Sequence, residues 1–575
     1  MPVSTSPWWR FLRHKSVRFA CLPVAGALAL TACTNTGSSS GGSGGPSTAS
    51  VLTLEAQAAP DGPFTRNFNP FSSLSATADG ESMNLIYEPL LMDNYATHKV
   101  MPWLATGYTW SNGGKTLTLA IRRGVKWSNG TPFSAKDVAY TVNLMVSHPA
   151  LNGGAIPVAN ATANTAANSV VINFKQVAYV YLQGVANIIP VPESIWSRVG
   201  NPLTYLNPDP VGTGPYMLSS FTAQNISLKA NPNYWQANEP KIRTVQYQAF
   251  DSQSGVLAAL ETGGISWASL KLAAGVKPFT SRDPVHNKVV EERGGINVLL
   301  PNVSKYPLNL LPVREAISDA LNRTQISAVG EDGVNPPAVS PVGLDPSSQQ
   351  SFIAPAYRSL RYKPDGDVTQ ARQVLTKAGF RAGPGGMFLT PKGTPLSLQI
   401  LAPSGSAAFI RVAGLIKQEL QPAGIGIDVT TESQSAVTAQ TEQGNFQLVF
   451  YPASIDSVSQ PYFFYQSIMD HADSAPVGTA TSIDEGRFDN AAADADLHTF
   501  EVSTPGSAAQ RQALYGLEQI FVKDVPAIPD FQTVYRAEYS TSEFSGWPSQ
   551  QSMYVSPEAY NNSAEDVLLH LTAAK

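Results

Sequence analysis

Between Leu396 and Val429 the spacing of apolar residues changes twice, and that change limits the fold more than any other feature of the chain. Leu396, Leu398 and Ile400 alternate with period two, as a strand with one buried face requires. Phe409, Ala413, Ile416 and Leu420 then recur at helical spacing until Pro422 and Gly424 stop them, and Ile425, Ile427 and Val429 return to period two. A strand, helix, strand unit predicts an α/β lobe in the second half. Val368, Ala371 and Leu375, closed by Gly379, predict a helix before it, and residues 446–451 a further buried strand. Another helix is expected to start near Pro312, carry Val313, Ile317, Ala320 and Leu321, and end by Gly330.

The first half reads as short strands, turns and a few helices. Val51–Glu55 alternates like a first strand. Residues 81–91 suit a short helix stopped by Pro89. Asn112-Gly113-Gly114 supplies the positive backbone angles of a hairpin turn before a strand from Thr116 to Ile121, and Asn129-Gly130 marks a second turn. Ser134 and Asp137 form a capping box for a helix striped by Val138, Val142 and Met145. Gly212-Thr213-Gly214-Pro215 reads as a tight turn, because no Lys or Ser/Thr follows as a phosphate loop needs.

Charged residues are only 14% of the chain and the formal net charge is -5, so the clustered basic excess of a nucleic-acid binder is absent. Arg10, Arg13, Lys15 and Arg18 precede a short apolar run ending at Ala32, which reads as an export leader over residues 1–32. Thr31, Ala32 and Cys33 resemble a bacterial lipobox, which would make Cys33 a lipid-anchored first residue ahead of a Gly/Ser tether at 33–50. Cys21 falls within the leader, so the folded body has no disulfide and no cysteine chemistry. No later segment is long and apolar enough to span a membrane. Outside the low-complexity Gly/Ser tether neither a Gly-x-Ser-x-Gly elbow nor a His-Glu-x-x-His pair occurs, and seven histidines lack ligand spacing. Glu291-Glu292, Asp494 and Asp496 read as solvated acids. No enzyme activity, metal or cofactor is expected. The rival classes are a secreted hydrolase and a non-transport surface receptor or adhesin.

A series of ordered motifs then gives the chain a family. It includes Tyr87-Glu88-Pro89-Leu90, Pro102-Trp103-Leu104-Ala105, the block from Gly113 to Val138, Val211-Gly212-Thr213-Gly214-Pro215-Tyr216 and Asn231-Pro232-Asn233-Tyr234-Trp235. Leu257 to Gly263, Val313 to Ile317 and Ala371 to Phe380 continue it. In these motifs the chain resembles the extracytoplasmic solute-binding proteins of peptide- and nickel-type ABC importers, family 5. The resemblance implies an α/β, two-lobed periplasmic-binding-protein-like fold of the class II, or cluster C, type with an extra inserted domain. On this chain it places lobe I at 51–98, 211–300 and 540–575, the insert at 99–210 and lobe II at 301–539. The hinge would cross near Asn302 and Ser540. It further implies a monomer that captures a peptide or another small polar solute and delivers it to an ABC permease in the membrane, closing over the cargo as it binds.

The same resemblance marks candidate contacts. Asp456, in the stretch from Phe446 to Pro461, stands where family members hold a peptide amine, with Tyr451 the nearest aromatic beside Phe450. The usual Trp before the Asp is missing, and no Arg lies just upstream for a carboxylate, unless Arg411 or another cation arrives from elsewhere. Glu81, Ser82 and Asn84 are the first-lobe candidates. Trp267 is a candidate stacking surface, while Tyr87, Trp127, Tyr234 and Trp235 read as core aromatics.

Overall fold

The computed structural model describes residues 51–55, 63–72, 83–94, 96–97, 99–270, 276–453, 461–559 and 563–574. The leader, Cys33 and the tether lie outside them. Fourteen strands position the site. They are β1 Val51–Glu55, β2 Ala105–Ser111, β3 Thr116–Ile121, β4 Val158–Asn164, β5 Ser169–Phe174, β6 Tyr216–Phe221 and β7 Asn225–Ala230. The series continues with β8 Thr244–Gln248, β9 Trp267–Ala268, β10 Asn287–Pro301, β11 Ser397–Pro403, β12 Gly426–Glu432, β13 Leu448–Ala453 and β14 Ile528–Ser540.

Local chemistry produces most of the expected elements. Asn112, Gly113 and Gly114 all take positive φ and let β2 and β3 pair antiparallel as a hairpin. With β5 and β4 these strands make a separate four-stranded sheet, packed under helix Ala135–Ser147. The Ser134 and Asp137 capping box is formed: the Ser134 amide donates to Asp137 Oδ2 at 2.9 Å, and the Lys136 amide to Ser134 Oγ at 3.3 Å. In the second half, β11, helix Ala407–Leu420 and β12 form the strand, helix, strand unit, with β11 and β12 parallel.

The helix expected near Pro312 runs from Leu311 to Ala320, ending before Gly330. Leu321 turns to an extended backbone there, and the Asn322 side chain accepts from the Gln325 amide at 2.8 Å, capping a new short turn in competition with the helix. Gly212 and Gly214 do not take the positive angles of a tight turn. They are small because the backbone of residues 85–87 presses on them: a Cβ at Gly212 would lie 1.8 Å from Ile86 O, and one at Gly214 2.4 Å from Leu85 O.

Ten strands form one sheet in the order β12-β11-β13-β10-β14-β9-β1-β8-β7-β6. Two of them are far longer than the rest. β10 and β14 pair antiparallel over nearly their whole lengths, and each serves both halves of the sheet. In the first half the sequence across the sheet is β8-β1-β9-β14-β10, and in the second it is β12-β11-β13-β10-β14, so the two long strands exchange places. Each half has its own core. Leu54, Tyr247, Val290, Trp267 and Ala537 belong to one, while Leu299, Ile400, Ile416 and Leu448 fill one face of the other and Val298, Tyr465 and Leu517 its opposite face.

Candidate functional site

Strand direction locates a gap between the halves. β1, β8 and β9 run parallel to one another, and β9 and β10 are each antiparallel to β14, so all of them point along β10 toward the second half. β13 is antiparallel to β10, and β11 and β12 run parallel to β13, so these point back toward the first half. The carboxyl ends of both sets therefore face each other, the position where open α/β sheets bind ligands. Through the ladder, Ala268 is level with Val289, whereas Ala453 is level with Ile296. Between these levels, among the described residues, β10 and β14 have only each other as ladder partners, over on the order of 20 Å at roughly 3.3 Å per residue.

This two-stranded ribbon also carries one of the two irregularities of the ladder, a shift between Arg293 and Ile296 at Gly294-Gly295; the other falls between Asn297 and Val298. Asn302 and Ser540 sit where the strands end. Asn302 is fully buried, its side chain donating to Gly444 O at 2.8 Å. The crossing between halves thus falls several residues inside each strand from the positions expected.

Candidate contacts separate clearly. Asp456, Glu81 and Ser82 lie outside the described residues, and Asn84 is seen only as backbone of the short helix Met83–Ile86. Residue 454, where the segment carrying Asp456 begins, follows directly on Ala453, at the gap end of β13. Tyr451 is half-buried two residues earlier, opposite Val298. Burial raises its phenol well above the usual tyrosine value, so it stays neutral. Arg411 is not free for a ligand, since its Nη2 is 2.7 Å from Asp332 Oδ2 and 3.0 Å from Gly330 O.

Trp267 is not a cleft surface. It is 0% exposed, donates Nε1–H to Pro557 O at 3.0 Å and packs edge-on against Trp547 with ring centres 5.3 Å apart. Its place in the short strand β9 turns the ring into the first-half core. Glu292 also differs from expectation. Burial pushes it up to about 7, while Glu291, next to it along the strand, stays half-exposed and pairs with Arg536 Nη2 at 3.2 Å. A two-residue repeat sends adjacent acids to opposite faces.

A second polar cluster joins the four-stranded sheet to the first half. Glu88 and Glu565 are both buried; Trp235 Nε1 donates to Glu88 Oε1 at 2.7 Å, and the Tyr234 hydroxyl lies 3.2 Å from Glu565 Oε1 and 3.4 Å from Glu88 Oε1. Burial, and after it the neighbouring Glu88 carboxyl, raises Glu565 well above the carboxylate range, and burial pushes Glu88 up to about 7. Tyr87 and Trp127 are core, as expected, whereas Tyr234 and Trp235 are half-buried partners of this acid pair. Among the described residues no group of three or more His, Cys, Asp or Glu is placed to hold a metal ion, and no helix is long and apolar enough to cross a membrane.

Two half-sheets joined by a pair of crossing strands, with their strand ends opposed, define a two-lobed α/β binding protein. Comparison gives the family. The profile described as "Bacterial extracellular solute-binding proteins, family 5 Middle" matches residues 99–475, and the chain belongs to this family of solute-binding proteins. It is 26% identical over 456 residues to the nickel-binding periplasmic protein of Escherichia coli K12, covering 76% of this chain and 81% of that one. To the oligopeptide-binding protein OppA of Bacillus subtilis it is 24% identical, over 56% of this chain and 61% of that one. Among solved structures, the periplasmic oligopeptide-binding protein of Thermotoga maritima superposes with a TM-score of 0.79 at 20% identity, over 91% of this chain and 99% of that one.

Proposed function

We propose that the chain is the substrate-binding lipoprotein of an ABC importer, capturing an oligopeptide-like solute between its lobes and presenting it to a membrane permease. The observation that carries this reading is the opposition of strand carboxyl ends across a ribbon of only two strands. A ligand bridging the gap touches both halves only when they close, so its binding energy favours the closed form. Bending is concentrated at Gly294-Gly295, where the ladder slips. The inserted domain would hold the four-stranded sheet and lobe II the strand, helix, strand unit. Anchoring through Cys33 would keep the binder beside its permease.

The test is mass spectrometry of solute released from the purified protein, followed by thermal melting of the emptied protein with defined peptides. A peptide ligand at about a hundred times its Kd should stabilise the fold by about 2.7 kcal/mol. Release of a metal chelate or a sugar, with no peptide raising the melting temperature, would reject the peptide reading. Loss of membrane association in Cys33→Ala checks the anchor.

A further inference from the structure

The unit built on the four-stranded sheet is fixed to the first half and yet reaches the second. On the first-half side the Ser128 amide donates to Gly212 O at 2.8 Å, and Asn233 Nδ2 donates to Ser128 O at 3.1 Å. The Trp235 indole closes on buried Glu88 at 2.7 Å. These bonds make the unit travel with the first half whenever the lobes move. After β5 the chain leaves the sheet and forms a short 3-10 turn, Tyr179–Tyr181.

Adjacent residues of this turn belong to different cores. Tyr179 stays with its own unit, its ring edge-on to Trp110 with centres 5.1 Å apart, and the Ala178 amide before it donates to Gly114 O at 3.0 Å. Val180 crosses over. It is 3% exposed and buried in the second-half core that holds Tyr462, Leu497 and Phe500, with helix Ala491–Val502 lying against the turn. Tyr181 bridges the two, packing on the core under the four-stranded sheet and on the second-half core. Burial, and after it the Glu501, Asp473 and Asp470 carboxyls of the second half, push its phenol up to about 12. At the rim of the contact Gln176 Nε2 donates to Glu501 Oε1 at 2.9 Å.

This contact joins the lobes by a route other than the β10 and β14 ribbon. Separating the lobes draws Val180 into water and breaks the bond between Gln176 and Glu501, so the arrangement that keeps them is favoured with no solute present. We propose that residues 176–181 are a latch, in which Val180 and Tyr181 docked on helix Ala491–Val502 hold the lobes together independently of cargo. The latch sets the balance of open and closed forms that a solute then shifts. It goes beyond the peptide reading and holds for any solute taken into the gap.

The experiment is a pulsed electron paramagnetic resonance distance measurement on the emptied full chain. Spin labels go on Ala166→Cys, at the exposed end of the four-stranded sheet, and Thr504→Cys, exposed beyond helix Ala491–Val502. The two native cysteines are removed as Cys21→Ser and Cys33→Ser. With the latch intact the labels should give mainly the short separation of the closed form. Val180→Asp should raise the ratio of open to closed about tenfold, the factor that a lost apolar burial implies. The exposed change Gln176→Ala should raise it about threefold. If Val180→Asp does not melt like the parent, Gln176→Ala combined with Glu501→Ala, both outside the cores, reads the same shift. Distances that are mainly long with the latch intact overturn the proposal, and so do distances that these variants leave unchanged. No cargo is present, so either failure leaves the peptide reading as it stands.

Discussion

The acid pair at Glu88 and Glu565 and the crossing ribbon at Arg293 are opposite uses of charge in one molecule. At the first, carboxyl groups are taken out of water and surrounded by the Tyr234 hydroxyl and the Trp235 indole, and burial holds Glu565 well above the usual carboxylate range. At the second, an exposed guanidinium holds the neutral Gln532 and has no ion pair among the described residues. Three of the resemblance motifs map to the first region: Tyr87-Glu88 and Tyr234-Trp235 meet there, and Gly212 and Gly214 let the chain pass close behind Leu85 and Ile86. They specify the scaffold. The gap region carries none of them, which is why the cargo was not readable from them.

The sharpest break in this contrast comes from Trp267, which lies in a strand ending at the gap yet belongs to the buried side. Trp267→Ala should cost about 4 kcal/mol of stability, through lost packing and a cavity, without weakening peptide binding by the fraction still folded. Chemical denaturation alongside titration separates the two, and a selective loss of binding would return Trp267 to the cleft. Next is Glu88→Ala, which leaves the Trp235 N–H without its 2.7 Å acceptor in a buried site and should cost about 2 kcal/mol.

The pH dependence is a smaller and more distributed effect. Asp530 and Glu538 are 0% exposed and, by burial, pushed up to about 8, as is Glu518. Their folded pKa values exceed the unfolded ones, so the folded state holds more protons between about pH 4.5 and 8. Stability should therefore fall as pH rises through that window, and the denaturation midpoint should be higher at pH 5.5 than at pH 8.5, by at least about 1 kcal/mol. A midpoint that rises with pH would mean that these acids are ionised and paired in solution. Smallest of all, Arg293→Gln should change stability by no more than about 0.5 kcal/mol, as an exposed substitution does. A larger loss would place Arg293 with the structural charges.

The elements of the second half were legible because their order is local. The strand, helix, strand unit from Leu396 to Val429 was readable through the apolar period, and the Ser134 cap and the Asn112 to Gly114 turn through short-range hydrogen bonding and glycine geometry. The end of the helix from Leu311 was only bounded by Gly330, because Asn322 carries a competing local bond that periodicity does not register. Trp267 was misplaced for another reason. A two-residue strand has too little pattern to say which way its ring faces.

The sequence alone determined the class of the fold and the membership in family 5, since these rest on spacing and motif order along the chain. Only the tertiary structure decided where the halves cross, that Arg411 is occupied by Asp332, and that Arg293 has the neutral Gln532 and no ion pair among the described residues. Those facts depend on strand register and on contacts between residues more than two hundred positions apart, as with Arg293 and Gln532. Charge has no fixed role until the fold sets its distance from water and from other charges.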